Sequence, residues 1–365
     1  SINLNEYNKN EKNTDNENTQ KTKIDKNNLK SKKKPKNLEI NINESPTLPQ
    51  DKLVFSSPSE RIYIGKYVGG QKNGPGKLLL PNESEYDGNF KNNEFDGYGV
   101  YKTKTYNYYG YFAEGKKNGK GKLEDLVNGS VYEGDFVNDK KEGYGEEQYK
   151  DGSVYKGEFK NGLKEGNGVL ILIKKKIIDD NDINKNENNE ESVSCIYKGQ
   201  FKNDQICGVG RFKFSNKKEY YGEWENNEIM GYGMLLDGKV RHFGYFSHNI
   251  KEGYGVSFYE DQYYALIGKW EENLLEGPSI LVYLYKKCDT NNNYYYSNKP
   301  IIEKENIVGM YKGEIINMNL GEEDINTFKS SEDYQEMLDL YKNKFYPDYI
   351  KCINNGYKSD FENKL

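Results

Sequence analysis

Histidine and cysteine, the residue types that most often carry nucleophilic or metal chemistry, are scarce in this sequence. The two histidines are His242 and His248, and neither has a cysteine near it at the spacing of a metal-binding set. No serine or cysteine has an evident histidine partner for nucleophilic catalysis. The sequence therefore predicts a protein that is not an enzyme, with no catalytic residues, no metal site and no cofactor. Four cysteines are too few for a disulfide framework, which points to a reducing, cytoplasmic compartment.

Lysines form a short basic run near the N-terminus, at Lys30, Lys32, Lys33, Lys34 and Lys36. Such a run can attract an anionic membrane surface, by about 1 kcal/mol for each lysine near it, or serve as a nuclear-import patch. A solvated basic stretch in a tail biased toward asparagine and lysine is the plainer interpretation. The net charge of −5 argues against a nucleic-acid partner.

Tyrosine is the third chemical feature. Pairs of glycines separated by one residue recur through the middle of the chain, and tyrosine stands between them at Tyr98, Tyr144, Tyr232 and Tyr254. On a strand, this residue points to the face opposite its two neighbours. A row of exposed tyrosines is typical of a protein-binding surface. The alternative is that these rings pack against one another and against neighbouring long side chains.

The glycine pairs belong to a repeat of 22 to 24 residues. Each unit begins with Tyr-x-Gly-x-Phe, or with Trp in place of Phe, and continues to Gly-x-Gly. In one unit, for example, Tyr86, Gly88 and Phe90 precede Gly97 and Gly99. Tandem matches at a fixed spacing indicate a repeat architecture, in which each unit needs its neighbours to bury its apolar surface.

Nine units match, and a tenth begins and then degenerates. His242 and Leu266 replace the leading tyrosine of the eighth and ninth units, and the tenth is placed at Tyr311, Gly313 and Ile315. These departures mark the C-terminal units as the less regular part of the repeat.

The unit has the pattern of a β-hairpin. Its aromatic residues and the glycine between them alternate with polar residues, which indicates a strand with one wet face. The polar stretch that follows predicts a tight turn with asparagine or glycine at positive φ. The Gly-x-Gly pair opens the second strand, with both glycines on one face as a floor for an aromatic ring. The predicted aromatic ladder consists of Tyr63, Tyr86, Phe90, Phe112, Tyr132, Phe136, Tyr155, Phe159, Tyr197, Phe201, Trp224, Phe246 and Trp270.

Three segments lack the repeat. Residues 1–58 are rich in asparagine and lysine and predict a disordered tail. Residues 174–194 and 286–306 are polar and glycine-free, and predict loops inserted into the repeat region of residues 59–321. Residues 322–365 predict a helical cap.

The cap should contain one amphipathic helix. Ser330 or Ser331 is the candidate N-cap, and Pro347 should end the helix. We expect this helix to cover the last exposed strand edge, and homodimerisation through it is the alternative. At the other end, only Leu53–Phe55 could supply a strand that covers the first hairpin. The apolar stripe of the predicted helix consists of Tyr334, Met337, Leu338, Tyr341 and Phe345.

Composition agrees with a sheet built from tyrosine and glycine. Only 34% of the chain is hydrophobic, against about 45–50% in an ordinary domain, yet it contains 34 tyrosines and 37 glycines. The predicted fold is therefore all-β, an elongated, single-layer, twisted ribbon of tandem β-hairpins.

The unit resembles the MORN repeat (membrane occupation and recognition nexus) over residues 61–321. The junction Lys-Glu-Gly-x-Gly, at residues 141–145, 164–168 and 251–255, is also typical of that repeat. The resemblance implies a twisted single-layer β ribbon in a protein that holds cytoskeletal or cortical membrane assemblies together.

We therefore expect a non-enzymatic scaffold, associated with the cytoskeleton or a membrane, that docks a protein partner along its tyrosine-lined face. The partner would be a helix or an extended peptide. The alternative is a peripheral membrane protein that binds phosphoinositides or other acidic lipids. A third possibility is a spacer that binds only through its ends.

Overall fold

The computed structural model describes residues 53–57, 60–175, 192–284, 286–288, 294–296, 305–311, 314–316 and 322–354. Within them, twenty-one strands form one open antiparallel sheet, in which each strand pairs with its neighbours along the chain. Short helices follow the sheet. The predicted all-β class, with tandem hairpins and a helical C-terminal end, is confirmed.

Within residues 60–175 and 192–284, short turns join successive strands. Strands β20 and β21 form a separate hairpin, so β19 pairs with β22. In chain order the strands are β1 Leu53–Ser57, β2 Glu60–Val68, β3 Gln71–Leu79, β4 Glu85–Lys91, β5 Glu94–Lys102, β6 Tyr106–Ala113, β7 Lys116–Asp125, β8 Val131–Val137, β9 Lys140–Gln148, β10 Val154–Lys160, β11 Leu163–Lys175, β12 Ser192–Lys202, β13 Gln205–Lys213, β14 Glu219–Glu225, β15 Glu228–Asp237, β16 Val240–Ser247, β17 Ile250–Tyr259, β18 Tyr264–Glu271, β19 Leu274–Tyr283, β20 Lys286–Cys288, β21 Tyr294–Tyr296, β22 Glu305–Tyr311 and β23 Glu314–Ile316.

Residues 322–354, the C-terminal range that the structure describes, form three α-helices and one π-helical segment. They are α1 Glu322–Lys329, α2 Glu332–Leu340, the π-helical segment Tyr341–Phe345 and α3 Tyr346–Asn354.

The turn inside each repeat, which joins its first strand to its second, has two consecutive residues at positive φ from β2 to β19. Asn92 and Asn93, for example, have φ of 52° and 74°, and Asn161 and Gly162 have φ of 53° and 93°. This is the type I′ geometry, which matches the twist of the flanking strands and favours asparagine and glycine. The predicted turns are confirmed.

The two glycines of each Gly-x-Gly have different roles, which corrects the prediction that both form the floor. The second glycine, such as Gly145, pairs with Gly134 of the first strand, and the ring of Tyr132 lies over both. A Cβ atom on either glycine would lie less than 3 Å from that ring. The first glycine, Gly143, has a φ of 66° in a β-bulge, and a Cβ there would point toward Asp135 on the other face.

The structure places the aromatic ladder in one buried row along one face, which we call the ladder face. The Tyr132 hydroxyl donates a hydrogen bond to the Asp135 carbonyl at 3.1 Å. The Tyr132 ring meets Phe136 of its own repeat and Phe159 of the next, edge to face, with centroids 5.2 and 5.0 Å apart. Each tyrosine therefore joins two repeats. The structure adds Tyr108 and Tyr220, both fully buried, to the predicted ladder. The predicted ladder residues, all at most 6% exposed, are Tyr63, Tyr86, Phe90, Phe112, Tyr132, Phe136, Tyr155, Phe159, Tyr197, Phe201, Trp224, Phe246 and Trp270.

The ends of the predicted segments differ from the structure in three places. Strand β1 begins at Leu53, inside the predicted tail, and pairs with β2, as the candidate strand at Leu53–Phe55 suggested. Strands β11 and β12 extend into the predicted loop 174–194, and the predicted loop 286–306 contains the β20–β21 hairpin. Residues 1–52 lie outside the described residues.

The tenth unit has a different register from the predicted one. Strand β22 pairs Met310 with Gly277 and Val308 with Ser279. In the preceding repeat, the equivalent partners on β18 are Trp270 and Gly268. The tenth unit is therefore aligned on residues 306, 308 and 310, and the prediction at residues 311, 313 and 315 is wrong.

Candidate binding face

The four tyrosines between glycine pairs lie on the face opposite the ladder, which we call the second face. Tyr98 pairs with Tyr111, between the ladder-face pairs that involve Phe112 and Gly110. Tyr144 is 64% exposed and Tyr232 is 39% exposed, while Tyr98 and Tyr254 are half-buried. The row therefore presents its rings to solvent to different extents along the sheet.

Two of these tyrosines have a second tyrosine directly across the strand. The Tyr98 and Tyr111 rings are 5.6 Å apart with an interplanar angle of 77°, and the Tyr232 and Tyr245 rings are 5.6 Å apart at 80°. Tyr144 faces a glutamate and Tyr254 faces a lysine. The sequence analysis missed Tyr111 and Tyr245, although tyrosine directly before the repeat's Phe would have indicated them.

The C-terminal helices lie on the second face, not on the last strand edge as predicted. The ring of Tyr349 in α3 stacks on Phe258 of β17, with centroids 3.9 Å apart and an interplanar angle of 3°. The predicted stripe of α2 is buried there, and Ser331 caps α2 by accepting a hydrogen bond from the Tyr334 amide. The sheet residues in this buried cluster are Tyr221, Met234, Phe243, Val256, Phe258, Ala265, Ile267, Ile280, Val282 and Leu284.

Pro347 does not end the helical segment, which is a second correction. The π-helical segment precedes it, and Pro347 falls in the first turn of α3. Proline is tolerated there because the first helical amides have no intrahelical partner.

Tyrosines of the row hold this helical segment through two polar contacts. The Tyr254 hydroxyl donates a hydrogen bond to the Asp333 carboxylate, which, with burial, raises the pKa of Tyr254 to about 12. The Nζ atom of Lys344 lies 3.1 Å from the centroid of the Tyr232 ring, in a cation–π contact. Burial lowers the pKa of Lys344. In this protein the second face therefore binds a helix through its tyrosines.

Strands β4 to β10 present a more polar version of the same face. Lys120 pairs with Asp135 at 2.8 Å, and Lys156 pairs with Glu146 at 2.8 Å. The exposed rings in this part belong to Tyr111, at 50%, and Tyr144. A ligand of this half would thus meet paired charges and tyrosines rather than a continuous apolar surface.

A row of lysines covers the ladder face, and the sequence analysis missed it. Lys141 Nζ lies 4.9 Å from the Tyr132 ring centroid and 2.5 Å from Glu147 Oε1. Equivalent lysines cover other ladder rings, at the ninth position after the leading residue of the repeat, which is tyrosine or, before Lys251, His242. They are Lys72, Lys117, Lys164 and Lys251.

His242 occupies a ladder position in the interior of the sheet. Its Nδ1 atom lies 3.1 Å from Ser257 Oγ, and its ring is 4.5 Å from the Trp270 ring. Its Nε2 atom is buried and has no hydrogen-bond partner among the described residues. Burial, with the nearby charge of Lys251, lowers the pKa of His242 well below 6.5.

The predicted basic run lies outside the described residues. Its lysines are Lys30, Lys32, Lys33, Lys34 and Lys36. The part of the chain that the structure describes contains no cluster of three metal-ligating side chains. It also contains no helix long and apolar enough to cross a membrane.

Comparison with known families matches the hairpins to one repeat. A comparison with curated proteins gave no significant match, but the family model described as MORN repeat matches eight segments, close to the nine or ten units predicted. MORN repeats are common in proteins that interact with membranes or other proteins, and the family is generally non-catalytic. The matched segments are residues 63–85, 86–107, 108–125, 132–154, 155–172, 197–218, 220–238 and 242–262. These segments coincide with the hairpins from β2 to β17, so the chain belongs to the MORN-repeat family.

Proposed function

We propose that this protein is a non-enzymatic scaffold that docks a protein partner on the second face of its sheet, over strands β4 to β10. The partner presents a helix there, and the assembly belongs to the cytoskeleton or to the cell cortex. One observation carries the proposal: the protein already binds a helix on this face, through Tyr232 and Tyr254 of the tyrosine row.

The distribution of side chains supports the location. On strands β14 to β19 the second face contains an apolar cluster that the helices cover. Tyr111 and Tyr144, in the more N-terminal strands, are at least half exposed. Tyrosine provides a large contact area at a low cost in side-chain entropy, and its hydroxyl adds a hydrogen bond. These properties suit a surface that binds a partner and also tolerates water.

Site-specific crosslinking tests the proposal. A photoreactive phenylalanine analogue replaces Tyr144 in the full chain, expressed in its native cells. The control replaces Tyr263, which is 47% exposed in the turn after β17. We expect one protein adduct at Tyr144 that is absent at Tyr263, and direct binding of the purified partner that Tyr144→Ala weakens. Equal adducts at both positions, or none, would contradict the proposal.

Binding of acidic lipids is the alternative function, and sedimentation of the full chain with vesicles tests it. The full chain is sedimented with phosphatidylcholine vesicles that contain phosphatidylserine, at low and high salt. Sedimentation that disappears at high salt and on replacing the lysines of residues 30–36 by glutamine, together with no adduct at Tyr144, would favour a peripheral membrane protein.

A further inference from the structure

The second face contains the same tyrosine pair twice, at equivalent positions of two repeats. Tyr98 and Tyr232 each stand between the glycines of their repeats, and Tyr111 and Tyr245 each stand directly before the Phe of the next. The ring distances are identical, and the interplanar angles differ by only a few degrees. The two pairs are therefore two copies of one local structure.

One copy has a ligand within the chain. Lys344, in the π-helical segment, holds its Nζ atom over the Tyr232 ring at 3.1 Å. Glu223 on strand β14 favours the charged form of this lysine. This copy shows which chemistry the pair accepts, namely a primary ammonium group presented on a helix.

The other copy has similar surroundings with more charge. Val100 and Tyr109 stand beside Tyr98 and Tyr111, where Met234 and Phe243 stand beside the second pair. Asp87 on β4 lies opposite Val100, and burial raises the pKa of its carboxyl group. The position equivalent to Glu223 is Asn89 in this copy, and Asp87 stands at the position of Tyr221. The acidic group offered to a cation over Tyr98 is therefore Asp87, from a different position of the same face.

We propose that the Tyr98–Tyr111 pair is a second helix-binding site. It binds a lysine side chain from a helix of the partner, as the Tyr232 ring binds Lys344. This inference rests on the proposed function and assigns its chemistry: the partner helix is basic at the position that contacts Tyr98.

A peptide of this chain provides the probe. A fluorescent peptide of residues 331–351 is titrated with the full chain, and binding is followed by anisotropy. The affinity should fall about fivefold to thirtyfold for Tyr98→Leu, the range expected when a cation–π contact is lost. Tyr98→Phe, which keeps the ring, should retain the affinity.

Two further measurements make the test specific. A K344Q peptide should bind the wild-type chain as weakly as the original peptide binds Tyr98→Leu, and the two changes together should add little. Tyr263→Leu removes an exposed tyrosine in the turn after β17, outside the proposed binding surface, and should leave the affinity unchanged. Circular dichroism and the unfolding temperature verify that each variant is folded.

The inference is overturned if the peptide does not bind, or if Tyr98→Leu and wild type bind it equally. A partner that is still captured at Tyr144 would then leave the proposed function standing. If the peptide binds as expected but no protein is captured at Tyr144, the chemistry of the pair holds and the proposed function fails.

Discussion

At the scale of single residues, the fold depends on glycines that leave room for tyrosine rings. Gly134→Ala would place a Cβ atom within 3 Å of both the Tyr132 hydroxyl and the Gly145 backbone. Because neither the ring nor the paired strand can move freely, we expect a loss of about 2–3 kcal/mol in the free energy of unfolding. Chemical denaturation measures this loss. Glu133→Ala, at the exposed neighbouring position, should change stability by no more than about 0.5 kcal/mol.

His242 makes the stability of the protein depend on pH. Its folded-state pKa lies well below 6.5, so below pH 6.5 the unfolded chain binds a proton that the folded chain does not. Stability from this residue is therefore complete above pH 6.5 and is lost as the pH falls. The neighbouring Lys251 has a pKa of about 8 because it is buried, so it is charged in both states over this range.

His242→Tyr should remove this acid sensitivity. Gly244 and Gly255 already lie under the ring at this position, so the leading tyrosine of the other repeats fits there. Denaturant titrations between pH 5 and 7 should show a smaller decrease in unfolding free energy for the variant than for wild type. His248→Asn is the control, because His248 is exposed in a turn where other repeats have asparagine. An unchanged pH dependence in His242→Tyr would contradict the assignment.

Spacing alone could predict which residues form the ladder, but not the separate roles of the two glycines. A period of two places Gly143 and Gly145 on the same face, and the bulge that separates their roles shows only in the backbone. The lysine at the ninth position was missed for a different reason. Lys141 pairs with Phe136 and lies on the ladder face, where a charged residue is not expected.

At the scale of the hairpin, the turn inside a repeat donates a backbone hydrogen bond to the preceding repeat, and an asparagine or aspartate at its second position accepts another. The Asn227 amide donates to the Ile206 carbonyl at 3.0 Å, and Asn227 Oδ1 accepts from the Ile206 amide at 2.8 Å. Gly162, at the equivalent position of its repeat, keeps the first bond, to Lys141, but has no side chain for the second. The turn sequence thus determines how firmly neighbouring hairpins are joined.

This difference gives a pair of opposite predictions. Asn227→Gly keeps the positive φ and removes one hydrogen bond, so it should cost about 1 kcal/mol of unfolding free energy. Gly162→Asn supplies the missing acceptor for the Lys141 amide and should stabilise the protein by about 0.5–1 kcal/mol. Thermal and chemical denaturation of both variants measure the effects. Changes of the same sign would show that turn propensity, not the hydrogen bond, dominates.

The helical stripe illustrates what sequence can and cannot reveal about an element. Periodicity predicted the buried side of α2, including Met337 and Leu338. It contained no information about the surface that this side meets. The evidence for that lay in the sheet, where apolar residues such as Phe243 and Val256 occupy second-face positions that carry charges in earlier repeats. A comparison of repeats position by position would have located the helix on the face.

At the scale of the whole molecule, contacts are local, because each strand of the sheet pairs only with its sequence neighbours. Such an array can lose structure in one region while the rest remains folded. The helices stabilise one region in particular, since their apolar side chains pack on strands β14 to β19.

Deletion of residues 322–365 should therefore have a local effect. It exposes second-face residues such as Phe258 and Ile280, which are fully buried in the intact chain. Hydrogen exchange of the shortened chain should be faster in strands β15 to β19, while strands β4 to β9 keep the protection of the full chain. The apolar surface left uncovered should also bind a hydrophobic dye. Faster exchange in all strands alike would show instead that the sheet folds as one cooperative unit, in which the helices stabilise even repeats that they do not contact.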